Sequence, residues 1–176
     1  PGPGRLTETL VRRSDRPVCT VRAGATPALG PGATVVVGVG YGAATKAALH
    51  WVATMVPSWG ARVRLVHAIG LPPLNAEGAT QVLAHVIDPT ARRRWAEEDL
   101  VEAAAELRRA SGDRIEVDWQ ATGGLAGHAL LKEAEHAAMV VIGRHHGLLG
   151  ERVVAPSTLV LLSRAACPVV VVPATG

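Results

Sequence analysis

The residues best suited to chemistry lie in one run, Gly143-Arg144-His145-His146-Gly147-Leu148-Leu149-Gly150-Glu151-Arg152-Val153-Val154-Ala155-Pro156-Ser157-Thr158. Glycines reach backbone angles barred to other residues, so successive amides in such a loop can converge on an anion. A helix starting at Ser157-Thr158 would add unpaired N–H donors and a partial positive charge. Arg144, His145, His146 and Arg152 bring cationic donors. Pro156 removes one amide, although proline suits a first helical turn. Anion binding is the chemistry these types support.

Other chemistries fit less well. His145 and His146 are adjacent and so point in different directions, and of the Cys, Asp and Glu residues only Glu151 lies nearby; no metal site is expected. Gly38-x-Gly40-x-x-Ala43 fits the dinucleotide pattern G-x-G-x-x-G/A. That pattern also expects an acid at the end of the following strand, where this chain has His67-Ala68-Ile69-Gly70. Flavin or dinucleotide binding is therefore a minor reading. There is no G-x-S-x-G elbow, and Ser157-Thr158 reads as a helix N-cap pair rather than a nucleophile. Paired carboxylates occur only on one charged helix. The chain is expected to bind rather than catalyse. His67, on an apolar strand, reads as a satisfied core histidine, and Cys19 and Cys167 as packed small residues.

The elements that must position these residues alternate regularly. Thr34 to Val39 is a β-branched run bounded by glycines, hence a buried strand. Ala44, Ala47, Ala48, Trp51, Val52 and Met55 form a helical stripe that stops near Pro57 and Gly60. Arg62 to Ile69 is a second strand whose alternating start places one face near solvent. A long connection, Gly70 to Asp88, leads to a helix over 89–111 with Ala96, Leu100, Ala103 and Leu107 on one face and Gly112 as its cap. A third strand is expected over 115–121, a third helix over 125–137, a fourth strand over 139–143, a last helix over 157–164 and a last strand at Val169-Val170-Val171-Val172. Repeated βα units imply a doubly wound α/β fold with a parallel sheet and helices on both faces.

The bulk properties agree. Of 176 residues, 48% are hydrophobic and 19% charged, which is globular composition long enough for one domain plus an appendage. With no Phe and one Tyr, the core must be built from Val, Leu and Ala. The net charge is +3, and the densest basic group, Arg92-Arg93-Arg94, is followed by Glu97, Glu98 and Asp99, a helix-face pairing pattern rather than a nucleic-acid patch. No apolar run approaches the ~18 residues that span a bilayer. Two cysteines are too few for a disulfide framework. These features predict a cytoplasmic protein without membrane or nucleic-acid partners.

The first 22 residues stand apart. Thr7 to Val18 aligns without a gap on Thr158 to Val169: Leu10 meets Leu161, Arg13 meets Arg164, Pro17 meets Pro168 and, further on, Val21 meets Val172. Each copy reads as a helix, a Pro-marked turn and a β-branched strand. Residues 1–22 thus read as the end of a preceding domain of the same kind, with 23–33 a Gly/Pro linker and 34–176 the complete domain. Val18–Arg22 is expected to pair antiparallel with Val169–Val172, within one chain or between two, because that last strand would otherwise be an open apolar edge.

Val36-Val37-Gly38-Val39, Ala47-Ala48-Leu49-His50-Trp51, Leu65-Val66-His67-Ala68 and Ala166-Cys167-Pro168-Val169-Val170-Val171-Val172, in this order and spacing, resemble the universal stress protein family. The resemblance implies a five-stranded sheet of order 3-2-1-4-5 and self-association through the last strand. It also implies ATP, with Mg²⁺, as the ligand of members that bind one. The family's nucleotide-contacting aspartate falls at Gly40, and its adenine-contacting backbone at Ala68. Its phosphate loop, G-x2-G-x9-G-[S/T], keeps Gly143, but the second glycine is His146 unless Gly147 takes over. The third glycine and the hydroxyl fall at Ala155 and Pro156 or at Pro156 and Ser157, so the loop is one residue short. The resemblance thus implies a stress-response module with a degenerate site that acts by dimerisation and partner contact. The alternative is an ATP sensor using Gly143, His145, His146, Gly147, Ser157 and Thr158.

Overall fold

The computed structural model describes residues 2–24, 28–70, 89–145 and 153–174. In chain order they form α1 (Arg5–Arg13), β1 (Val18–Thr20), β2 (Thr34–Gly38), α2 (Ala43–Met55), a 3-10 turn (Val56–Trp59), β3 (Arg62–Ala68), α3 (Pro89–Ser111), β4 (Val117–Thr122), α4 (Ala126–Ala134), β5 (Met139–Arg144), α5 (Pro156–Arg164) and β6 (Val169–Pro173). All strands join one sheet of order β1-β6-β5-β2-β3-β4.

Five of these strands, β4-β3-β2-β5-β6, are parallel and reproduce the expected 3-2-1-4-5 order. The sixth is the difference. β1 from the N-terminal appendage extends the sheet at its β6 edge, so the sheet has six strands rather than five. Its pairing is antiparallel and lies within the chain: Val18 faces Val171, Cys19 faces Val170 and Thr20 faces Val169. The strand is shorter than the expected 18–22. Val21 lies beyond the ladder and is 52% exposed, because nothing covers that side of the appendage among the described residues.

Two apolar layers hold the sheet. On one face Val35, Val37, Leu65 and Val141 pack under α2 and α3, with Ala96, Leu100, Ala103 and Leu107 fully turned inward. On the other, Val36, Val66, Val140, Ile142, Val169 and Val171 lie under α1, α4 and α5. Valine and alanine suffice because helix-on-sheet packing rewards small branched shapes that fill space without voids. The outer face of α3 carries the expected i,i+4 pairs, Arg93–Glu97 at 2.9 Å and Arg94–Glu98 at 3.6 Å, which stabilise the helix only slightly. No helix among the described residues is long and apolar enough to cross a membrane.

Candidate functional site

β2 and β5 are adjacent parallel strands whose chains leave in opposite directions, β2 into α2 on one face and β5 towards α5 on the other. Such a reversal opens a crevice at the carboxyl ends of the strands, where open α/β sheets place ligands. Here it is a cleft of about 100 Å³. Gly40, Ala68, Gly143, His145, Ser157 and Thr158 all line it, as do Thr45 and Ala126. His146 and Gly147 lie outside the described residues. The cleft is well below the roughly 300 Å³ at which small-molecule pockets usually begin.

Three helices start at this cleft, α2 beside Ala44 and Thr45, α4 at Ala126 and α5 at Ser157 and Thr158. Their N-terminal amides and dipoles favour negative charge there. One donor at the cleft is nevertheless already occupied. The Gly40 N–H donates to Thr45 Oγ1 at 3.0 Å. The sequence pattern points to Gly40 but not to Thr45, in the first turn of α2, whose hydroxyl oxygen accepts from that amide. The turn between them needs Gly42, which sits at φ 74° as the N-cap of α2, a conformation that L side chains avoid. At α5, Ala155 rather than Ser157 is the N-cap and makes no side-chain cap bond. Ser157 and Thr158 therefore lie inside the first turn, and Thr158 is buried, which corrects their reading as a capping pair. Helical bonding resumes at the Leu159 N–H to Ala155 oxygen bond of 3.1 Å, and Pro156 brings no N–H.

Two residues assigned to anion binding do other work. Arg144 is 3% exposed and turned away from the cleft lining. Its Nη1 donates to the carbonyls of Val11 (2.6 Å), Arg12 (2.9 Å) and Ser14 (2.9 Å), which cap the C-terminus of α1. A cation there meets both unpaired carbonyls and the negative end of the helix dipole. Gly143 is a packing glycine. A Cβ on it would stand 2.9 Å from Ala44 Cα and closer still to the Ala44 carbonyl, so α2 crosses the strand here because no side chain intervenes. Of the expected cationic donors among the described residues, His145 is exposed at the cleft, and Arg152, like His146, lies outside them.

His67 points to the α2–α3 face. It is 5% exposed, its ring meets Tyr41 edge-on at 5.4 Å, and its Nδ1 has no hydrogen-bond partner. The expectation of a satisfied core histidine is thus corrected. Burial lowers its pKa below the usual histidine value, and the charge of Asp99 opposes that shift. Cys167 is buried as expected, whereas Cys19 on β1 is exposed, which corrects its reading as a packed residue; desolvation raises the pKa of both thiols. No cluster of three metal-ligating side chains occurs among the described residues.

The universal stress protein family profile matches residues 33–173. The chain belongs to that family. Solved universal stress proteins share the fold. One is UspA from Lactobacillus plantarum, with 16% identity, a TM-score of 0.62 and coverage of 81% of this chain and 99% of that one. Another, crystallised in complex with cAMP, has 17% identity, a TM-score of 0.56 and coverage of 83% and 100%. A universal stress protein from Archaeoglobus fulgidus DSM 4304 has 18% identity and a TM-score of 0.64; the match covers 98% of this chain but 56% of that one. Among curated proteins none matches by sequence.

Proposed function

We propose that this universal stress protein works as a binding module in stress response, through protein contacts, with a nucleotide cleft that no longer grips a triphosphate. The observation that carries this reading is the Gly40 N–H bonded to Thr45 Oγ1, at the position where the family resemblance implies a nucleotide-contacting aspartate. The small cleft, Pro156 at the start of α5 and the engagement of Arg144 on α1 support it. A second reading is favoured by the Ser157 and Thr158 amides: they suit an adenine nucleotide with a single phosphate, such as the cAMP held by the related protein.

Calorimetry with ATP and Mg²⁺, AMP and cAMP separates these. The first reading expects flat heats with ATP at millimolar concentration, and the second expects heats with AMP or cAMP alone. Micromolar ATP affinity in the wild-type protein overturns both. A gain-of-function control is available at Gly40, where an added Cβ would meet nothing closer than 3.9 Å. Gly40→Asp is expected to raise nucleotide affinity by restoring the missing contact; if ATP binding stays absent, the defect lies elsewhere in the cleft.

A further inference from the structure

The edge of the sheet remote from β6 is uncovered among the described residues. β1 lies along β6, whereas β4 ends the sheet with β3 as its neighbour. The Val63 N–H donates to the Glu116 carbonyl at 2.8 Å, and the Ile69 N–H to the Thr122 carbonyl at 2.7 Å. The even-numbered residues of this stretch thus turn their backbone groups to β3, and alternation along the strand points those of Val117, Trp119 and Ala121 outward. The Val117 carbonyl is already met, because Arg108 Nη2 reaches over from α3 at 2.7 Å. Trp119 and Ala121 present both N–H and C=O to a further strand.

Side chains on this edge are suited to contact. Trp119 is 40% exposed, and Val101, two turns before Arg108 on the same stripe of α3, is 52% exposed. On the opposite face of β4, Arg64 holds Asp118 through bonds of 2.9 and 3.0 Å, and Gln120 is exposed.

Register decides what fits. Two copies related by a two-fold axis would pair β4 antiparallel, with the axis at Asp118, Trp119 or Gln120. An axis at Asp118 sets that carboxylate against itself, and like charges directly opposite are destabilising. An axis at Trp119 needs the Val117 carbonyl that Arg108 holds. An axis at Gln120 meets neither obstacle. Trp119 and Ala121 then exchange backbone bonds, a large side chain lying opposite a small one. Asp118 faces the Thr122 hydroxyl, and the two Gln120 amides, each both donor and acceptor, face each other.

We propose that β4 is a self-docking edge that takes β4 of a second copy of this chain, antiparallel about Gln120, so that two sheets join into one. The Arg108 cap on Val117 ends the ladder and thereby sets its register.

Sedimentation velocity on the full chain over a concentration series tests this, together with amide exchange at Trp119 and Ala121 followed by NMR. The wild-type protein should pass from monomer to dimer, and these two amides should become protected over the same range. Gln120→Glu puts like charges on the axis and should weaken the dimer by about fivefold. Ala121→Pro removes an outward N–H and should abolish the dimer, since an edge strand tolerates proline at such a position. Should Ala121→Pro unfold, the exposed change Gln120→Glu decides alone. A peptide of residues 115–124 should compete, and a scrambled version should not. A chain that stays monomeric at millimolar concentration overturns the proposal, as does a dimer that neither variant weakens. Equal competition by the scrambled peptide overturns it too, because the edge would then accept any strand. None of these readouts depends on whether the cleft binds nucleotide.

Discussion

Gly143→Ala separates a packing glycine from a phosphate-loop glycine. The new Cβ would lie 2.9 Å from Ala44 Cα, and closer to its carbonyl, where carbon contacts prefer about 3.5–4.0 Å. Backbone stands on both sides, so no side-chain rotation relieves the clash, and α2 must retreat from the sheet by roughly 1 Å. Its inward residues, Ala48, Leu49 and Val52, are 0–2% exposed and would lose contact with β2 and β5 together. Overpacking costs about 1–3 kcal/mol, and a backbone clash belongs at the upper end. At about 2–4 °C per kcal/mol for a domain of this size, Tm should fall by roughly 6–12 °C. Thermal melts followed by circular dichroism would measure it. Gly40→Ala is the control: its Cβ would meet nothing closer than 3.9 Å, and a change within about 0.5 kcal/mol is expected. If Gly143→Ala melts with the wild type, the close approach of α2 to β5 is wrong, and with it the assignment of Gly143 to packing.

Two further outcomes follow from the buried polar groups. His67 has its pKa lowered in the folded state by burial, so the unfolded chain binds the proton more readily, and stability present above about pH 6.5 is lost as pH falls through the folded value. Urea midpoints at pH 5 and 7.5 should show this loss, and His67→Gln should lessen it; an unchanged slope would remove His67 as the cause. Arg144→Met in the otherwise wild-type chain removes a charged donor from three carbonyls, at a cost of about 3 kcal/mol to α1 docking. Hydrogen exchange should speed up in Arg5–Thr20 but not in β2 or β3, and protection in α1 equal to wild type would show that the cap contributes little.

Much of the fold was legible because it follows from patterns along the chain. β-branched runs such as Val35–Val37 and Val169–Val172 can only be satisfied inside a sheet, and the α3 stripe Ala96-Leu100-Ala103-Leu107 fixes which face turns inward. The antiparallel partner of β6 was legible for a different reason: the repeat supplied a matching strand and an open edge required one. The site was read less well. Gly40, Ala68, Gly143, His145, Ser157 and Thr158 do converge, since strand ends and helix starts bring them together whatever their role. Their roles depend on neighbours remote in sequence. Arg144 serves carbonyls some 130 residues away, and nothing in the Gly143–Thr158 run announces it. The close passage of α2 over Gly143 and the unpartnered nitrogen of His67 are likewise properties of packing between elements, which residue spacing within one element does not encode.

The reversal of chain direction at β1 has a geometric consequence. Every strand from β4 to β6 ends at the same rim of the sheet, while β1 ends at the opposite rim. Any body joined across this seam is turned end over end, so its own crevice opens to the far side of the assembly. No single small molecule could bridge two crevices arranged in this way. Contact between two bodies so joined runs along the row where Cys19 faces Val170, remote from both crevice mouths.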